Sequence, residues 1–160
     1  MTKSITATVD PAGCRVEART ARGHPVVMDG SPPEGRGEAM GARETLLAAL
    51  AGCTACDVAS ILRKKRQSAA VYEIAVSGET AADPPRVFTS ITVEHRVRGA
   101  VEPEALRRSI ELSATRYCPV NAMLSASVTI EHRYRLETAG GVRHEALVAV
   151  TGPEGIRLGP

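Results

Sequence analysis

The chain has 160 residues, and its 20 Lys and Arg against 18 Asp and Glu leave a formal charge of +2. That length fits one domain able to bury roughly two-thirds of its unfolded surface, and so weak a charge, made of interspersed signs, gives no field for nucleic acid. With no Trp, one Phe and three Tyr, the core has to be built from Ala, Val, Leu and Ile, which also excludes an aromatic platform for stacked bases.

Segments 3 to 9, 13 to 20 and 24 to 29 alternate polar and apolar residues and read as a β-meander, with Asp10-Pro-Ala-Gly13 as the first turn. Residues 30 to 41 are rich in Gly and Pro and read as a loop ahead of a helix. From Ala42 to about Arg66 helix formers dominate. The centre, Leu46-Leu-Ala-Ala-Leu-Ala-Gly-Cys-Thr-Ala-Cys-Asp-Val58, is apolar on nearly every face, so this helix should be surrounded by protein. Gly52, Thr54 and Asp57 break the run and make it too short for a bilayer span, which needs about 20 apolar residues. Arg63-Lys-Lys-Arg66 reads as a solvated helix end.

Val71 to Ser77 and Val87 to Val97 look like a β-hairpin turning at Ala82-Asp-Pro-Pro85. Glu102-Pro-Glu-Ala-Leu106 opens a second helix with Leu106, Ile110 and Ala114 on its buried side, ending near Tyr117. Cys118-Pro-Val-Asn121 starts a short helix with Pro119 at its first position, and a strand follows at 127 to 136. Residues 139 to 160 read as a tail with one short strand at 145 to 150. The organisation expected is a single domain over 1–138 with a partly ordered extension over 139–160. The fold class is α+β. The first residues alternate like a strand and lack the apolar core of a signal peptide, so the expected location is cytoplasmic, away from membranes.

Four cysteines without a dense pattern are too few for a disulfide scaffold and point to reduced or catalytic thiols. Thiolate is the reactive form, so what lowers each pKa decides its use. Cys118, as a helix cap, would face free N–H groups and should be the more acidic thiol. Cys53 lies mid-helix in apolar surroundings that raise a thiol pKa unless a cation reaches it. Cys56 follows at three residues, but a C-x-x-C redox pair works at a helix N-terminus rather than about three turns in. Each cysteine, Cys14 above all, could equally be a small buried hydrophobe. His24, His95, His132 and His144 stand singly without ligand spacing, so no metal or cofactor is expected.

A loop, then Glu44-Thr-Leu-Leu-Ala-Ala-Leu-Ala-Gly-Cys53 on a long helix, a hairpin, a second helix and Tyr117-Cys-Pro-Val120 resemble the OsmC/Ohr superfamily of osmotically induced and organic hydroperoxide resistance proteins. The likeness spans about residues 3 to 137, and the spacing of 65 between Cys53 and Cys118 fits it. The wording around Cys53 and the Arg63-Lys-Lys-Arg66 exit look most like the YhfA-like OsmC branch. The resemblance implies an OsmC-like fold in an intertwined homodimer with the long helices packed centrally. It also implies an antioxidant, redox-active role in oxidative and osmotic stress: Cys53 as peroxidatic cysteine, Cys118 as resolving cysteine, an organic hydroperoxide as substrate and a dithiol as reductant.

This chain departs from that pattern at one position. Family members that resemble the strong peroxidases carry a Glu ten residues before the reactive cysteine, where this chain has Arg43, with Glu44 displaced by one. At about 100° per residue, Glu44 lies about 180° around the helix from Cys53 and Arg43 about 80°. Arg43 is therefore a candidate activator of the thiolate, and Glu44 if the helix starts later; the resemblance also implies an Arg from an early loop beside the reactive cysteine, for which Arg19 and Arg22 in the early strands are the candidates. The alternatives to a peroxidase are a non-catalytic or small-ligand-binding stress protein with structural cysteines, and a dithiol oxidoreductase using Cys53 and Cys56.

Overall fold

The computed structural model describes residues 2–160 and divides into two compact units, Met1–Ala48 and Ala49–Pro160. In the first, β1 (Ile5–Val9), β2 (Val16–Thr20) and β3 (Pro25–Met28) form an antiparallel sheet in that order, as the alternation predicts. The loop after β3 is organised by Asp29, whose buried carboxylate accepts the backbone N–H groups of Arg36 at 3.2 Å and Glu38 at 3.1 Å. The Glu38 bond foremost, with that of Arg36, holds the Asp29 pKa below the usual carboxylate range against the opposing effect of burial. Cys14 packs against the same loop. A Cβ on Gly30 would stand 2.8 Å from that of Cys14, which leaves room only for glycine.

Helix α1 (Ala42–Lys64) begins in the first unit and continues into the second. At its start Glu44 reaches back to accept the Gly41 N–H at 2.8 Å, half of a capping box, while Thr45 N–H makes the first helical backbone bond to Gly41 O. Its end is a Schellman motif. Gln67 N–H bonds to Leu62 O, Arg66 N–H bonds to Arg63 O, and Arg66 takes the left-handed conformation at φ 58°. Contrary to the expectation from its interrupted apolar run, α1 has the length, 23 residues, and the composition of a bilayer span. Its polar residues are too few to offset the Ala and Leu around them. Within one chain α1 buries Leu50, Thr54, Val58 and Leu62 and leaves Ala49, Gly52 and Cys56 exposed.

The rest of the second unit is a five-stranded sheet in the order β4 (Ser68–Thr80), β5 (Phe88–Ala100), β6 (Thr129–Thr138), β7 (Arg143–Gly152), β8 (Gly155–Leu158). Every neighbouring pair is antiparallel except β5 with β6, which run parallel and are joined by the helical segment between them. The sequence suggests one short strand after 139. The chain forms two there, because the inward residues Val148 and Ala149 of β7 complete the core and Gly141, at φ 78°, turns the chain back from β6. Helix α2 (Pro103–Leu112) starts with Pro at its first turn. It packs Leu106 and Ile110 onto Val58 and Leu62 of α1, Val97 of β5, Leu136 of β6 and Val148 of β7 in one buried cluster. A π-helical turn, Ser113–Tyr117, follows, and α3 (Pro119–Leu124) comes directly after Cys118.

Candidate functional site

Cys118 is placed by the two elements that meet at it. Its N–H closes the π-helical turn on Ser113 O at 3.0 Å, and Pro119 confines Cys118 to extended backbone, φ −75° and ψ 105°, which ends one helix and caps the next. As cap, its Sγ accepts the Asn121 N–H at 3.3 Å. The thiol is buried, 3 % exposed, and faces α1. There Cys53 and Asp57, one helical turn apart, lie on the side toward Ser113, so that Cys53 Sγ, an Asp57 carboxylate oxygen and Cys118 Sγ all stand within 4.8 Å of one another. Ser113 Oγ donates to Asp57 Oδ2 at 3.1 Å and shares a 2.9 Å hydrogen bond with Thr54 Oγ1.

The expected acidity of Cys118 is reversed. Burial foremost, then a hydrogen bond to Cys53, push the Cys118 thiol up to about 12. The Asn121 and Val120 N–H groups pull the other way and are outweighed. A negative charge on Cys53 acts on Cys118 in the same direction as burial.

Beneath α3 runs a buried polar chain that the sequence does not announce. Asn121 Nδ2 donates to Ala114 O at 2.7 Å, which turns Oδ1 toward His132 Nε2 at 2.9 Å. His132 therefore carries its proton on Nε2 and presents a bare Nδ1. His95, diagonal to it on the parallel β5–β6 pair with ring centroids 6.5 Å apart, shares a 2.7 Å hydrogen bond through Nδ1 with the Tyr72 hydroxyl. His95 Nε2 and His132 Nδ1 are the buried side-chain polar atoms left without a partner among the described residues. Burial, joined for His95 by the charge of its neighbour, lowers His95 to about 3 and His132 to about 4, so both are neutral. Burial and the nearby Cys56 raise the Tyr72 hydroxyl.

Of the six residues named from the sequence, Cys53 and Cys118 come together in the second unit; Arg19, Arg22, Arg43 and Glu44 lie in the first. Arg19 pairs with Glu17 and donates to Gly23 O at 3.0 Å, bracing the β2–β3 turn that also holds Arg22. Glu44 serves the α1 cap, and Arg43 is beside it in the first turn. Asp57, Ser113, Asn121 and His132 escaped the sequence reading. The i, i+4 spacing of Cys53 and Asp57 is the one local signal that could have found any of them.

A profile of the OsmC-like proteins matches residues 35–133, a stretch that holds both thiols, Asp57, Asn121 and both buried histidines. The chain belongs to the OsmC-like family. Protein YhfA of Escherichia coli strain K12 is 37 % identical over 121 residues, covering 75 % of this chain and 88 % of YhfA. Among solved structures, an OsmC-like protein from Mycoplasma pneumoniae superposes with a TM-score of 0.74 at 17 % identity, covering 85 % of this chain and 97 % of its own. The organic hydroperoxide resistance protein OhrB of Bacillus subtilis superposes with a TM-score of 0.60 at 14 % identity, covering 84 % of this chain and 98 % of its own. At those identities the two solved structures establish the α+β OsmC fold of this chain.

Proposed function

We propose that this OsmC-like chain is a thiol-dependent peroxidase for organic hydroperoxides. The observation that carries the reading is the approach of two sulfurs from different elements, Cys53 on α1 and Cys118 at the cap of α3, within 4.8 Å. Cys53 Sγ, as thiolate, attacks the peroxide oxygen; the O–O bond breaks, the alkoxide leaves as alcohol after taking a proton, and Cys53 becomes a sulfenic acid. Cys118 Sγ then attacks the Cys53 sulfur, and the S–O bond breaks. The hydroxide leaves with the Cys118 proton as water, and a dithiol reductant later reverses the disulfide. The proton retained on Cys118 suits this order, since it departs in the second step rather than the first. Free thiols in this cycle persist in a reducing compartment, the cytoplasm, and the apolar surroundings of Cys53 on α1 favour an organic over an inorganic peroxide. A homodimer packed through α1 accounts for the uncovered Ala49, Gly52 and Cys56.

Intact mass after cumene hydroperoxide treatment tests the reading. The wild type should lose two hydrogens, Cys118→Ser should stop at sulfenic or over-oxidised Cys53, and Cys53→Ser should not react; unchanged thiols in the wild type would overturn the proposal. In the same assay at varied pH, Arg43→Ala, Arg19→Ala and Arg22→Ala locate the group that activates the thiolate. The activator's loss should shift the Cys53 reactivity profile toward higher pH, whereas Glu44→Ala should act on helix stability alone.

One observation favours the second reading, a non-catalytic stress protein. The titratable side chain grouped with the two thiols is a carboxylate, Asp57, and not a cation. Under that reading the wild-type thiols survive the peroxide.

A further inference from the structure

We infer that the reduced Cys53–Asp57–Cys118 cluster is a binding site for a thiophilic divalent cation of the zinc class, one per chain, and that the same thiols cannot hold the cation once joined as a disulfide. Three features of the cluster carry this. First, it offers two thiol sulfurs and one carboxylate oxygen, a donor set that suits zinc rather than the hard cations calcium and magnesium, which take oxygen. All three lie within 4.8 Å of one another.

In a tetrahedral site with metal–sulfur bonds of about 2.3 Å, ligand atoms stand about 3.8 Å apart. No pair of donors therefore needs to close by more than about 1 Å. Cys53 and Asp57 share one face of a rigid helix, and Cys118 is fixed from the other side by its proline and its cap.

Second, the donors already have the outer bonds that orient ligands in metal centres. Ser113 Oγ donates to Asp57 Oδ2, which leaves Oδ1 to bind, and Asn121 N–H donates to Cys118 Sγ. Asn121 is itself held through Oδ1 by His132.

Third, the cluster concentrates negative charge. Two thiolates and a carboxylate within 4.8 Å of one another repel unless a cation lies among them. A dication neutralises that donor set, and because thiolate is the ligating form, binding releases thiol protons. Three protein ligands leave the fourth position of the tetrahedron to water or an added thiol.

Disulfide formation removes both sulfur donors together. A hydroperoxide that oxidises the loaded site takes two electrons from the two thiolates, gives alcohol and water with two protons from solvent, and sets the dication free. Binding itself requires only the reduced thiols and Asp57 and stands apart from the peroxidase reading.

The test uses Co2+ and Zn2+ with the full chain, reduced and then freed of reductant under argon. Reduced wild type should take up one Co2+ with near-ultraviolet thiolate charge-transfer absorption and the visible bands of a tetrahedral ion, which one equivalent of Zn2+ should displace. Asp57→Asn should weaken Co2+ binding about 10-fold or more while keeping the charge-transfer band. Cys53→Ser and Cys118→Ser should each lose the two-thiolate spectrum, and Cys14→Ser should bind as the wild type does.

Because Cys118 is buried and its replacement could disturb folding, the wild type is also oxidised with diamide. It should then bind no Co2+ and recover binding on reduction. No charge-transfer absorption in the reduced wild type, or a spectrum that survives diamide or loss of Cys53, would overturn the inference. Diamide forms the disulfide without a peroxide, so a chain inert to hydroperoxides can still pass this test, and an active peroxidase can fail it.

Discussion

His95 and His132 show how far a residue's meaning depends on its surroundings. Each lies on the inward face of its strand, where Val93 and Val97 flank His95 and Ile130 and Tyr134 flank His132 at the neighbouring inward positions. Neither gains a cationic partner, and burial holds both neutral, with folded pKa values of about 3 and about 4 against an ordinary 6.5. The unfolded chain therefore binds more protons than the folded one between pH 6.5 and those values, so stability falls as pH falls through this window. From pH 7 to pH 5 the pair should cost roughly 4 kcal/mol, at about 1.4 kcal/mol per pKa unit for each residue. Urea titrations at the two pH values check this. The double variant His95→Gln, His132→Gln should lose most of the dependence, and an unchanged slope would show that other groups set it.

At the scale of the element, α1 closes with Arg66 in the left-handed region, a conformation that costs a side chain of ordinary bulk about 1 kcal/mol. Arg66→Gly should raise stability by about 0.5–1 kcal/mol in thermal melts despite the greater freedom of the unfolded glycine, and Arg66→Val should lower it. The pair separates the backbone effect from the loss of charge, since both remove the guanidinium. The α2 to α3 passage makes a related point. An additional residue in the π-helical turn and a proline directly after it aim one cysteine at another helix, and a continuous α-helix through 113–121 would point that side chain elsewhere.

For the whole molecule, α1 is the open question within a single chain. Its core-facing Val58 and Leu62 are buried with α2 and the sheet, while a Cβ added to Gly52 would meet nothing within 4 Å. In the proposed homodimer that space belongs to the partner's helix. Gly52→Arg should therefore turn a dimer into a monomer in sedimentation velocity, with little change in helix content; a wild type that sediments as a monomer would remove the dimer from the proposal. A core change behaves differently. Ile110→Ala, at a fully buried position, should cost about 2–5 kcal/mol in urea unfolding through the cavity it leaves.

The sequence by itself determined the order and kind of most elements: the alternating strands, the Ala- and Leu-rich helix and the proline-led helices of 103 and 119 are local signals with local causes. It also picked out Cys53 and Cys118 as the thiols to watch, through the resemblance their surroundings carry. The sequence offers one short strand in the tail after 139; tertiary structure decided that it lengthens into β7 and is followed by β8, because the extent of a strand depends on the edge it pairs with. It decided which side of α1 the chain itself covers, that of Leu50, Val58 and Leu62. It decided the site as well. Asp57 meets the thiols because π-turn and helix converge there, and Cys118 keeps its proton because burial and the neighbouring sulfur outweigh the helix cap that local reasoning favoured. Burial and through-space charge are sums over elements distant in sequence, and a pattern of near neighbours does not contain them.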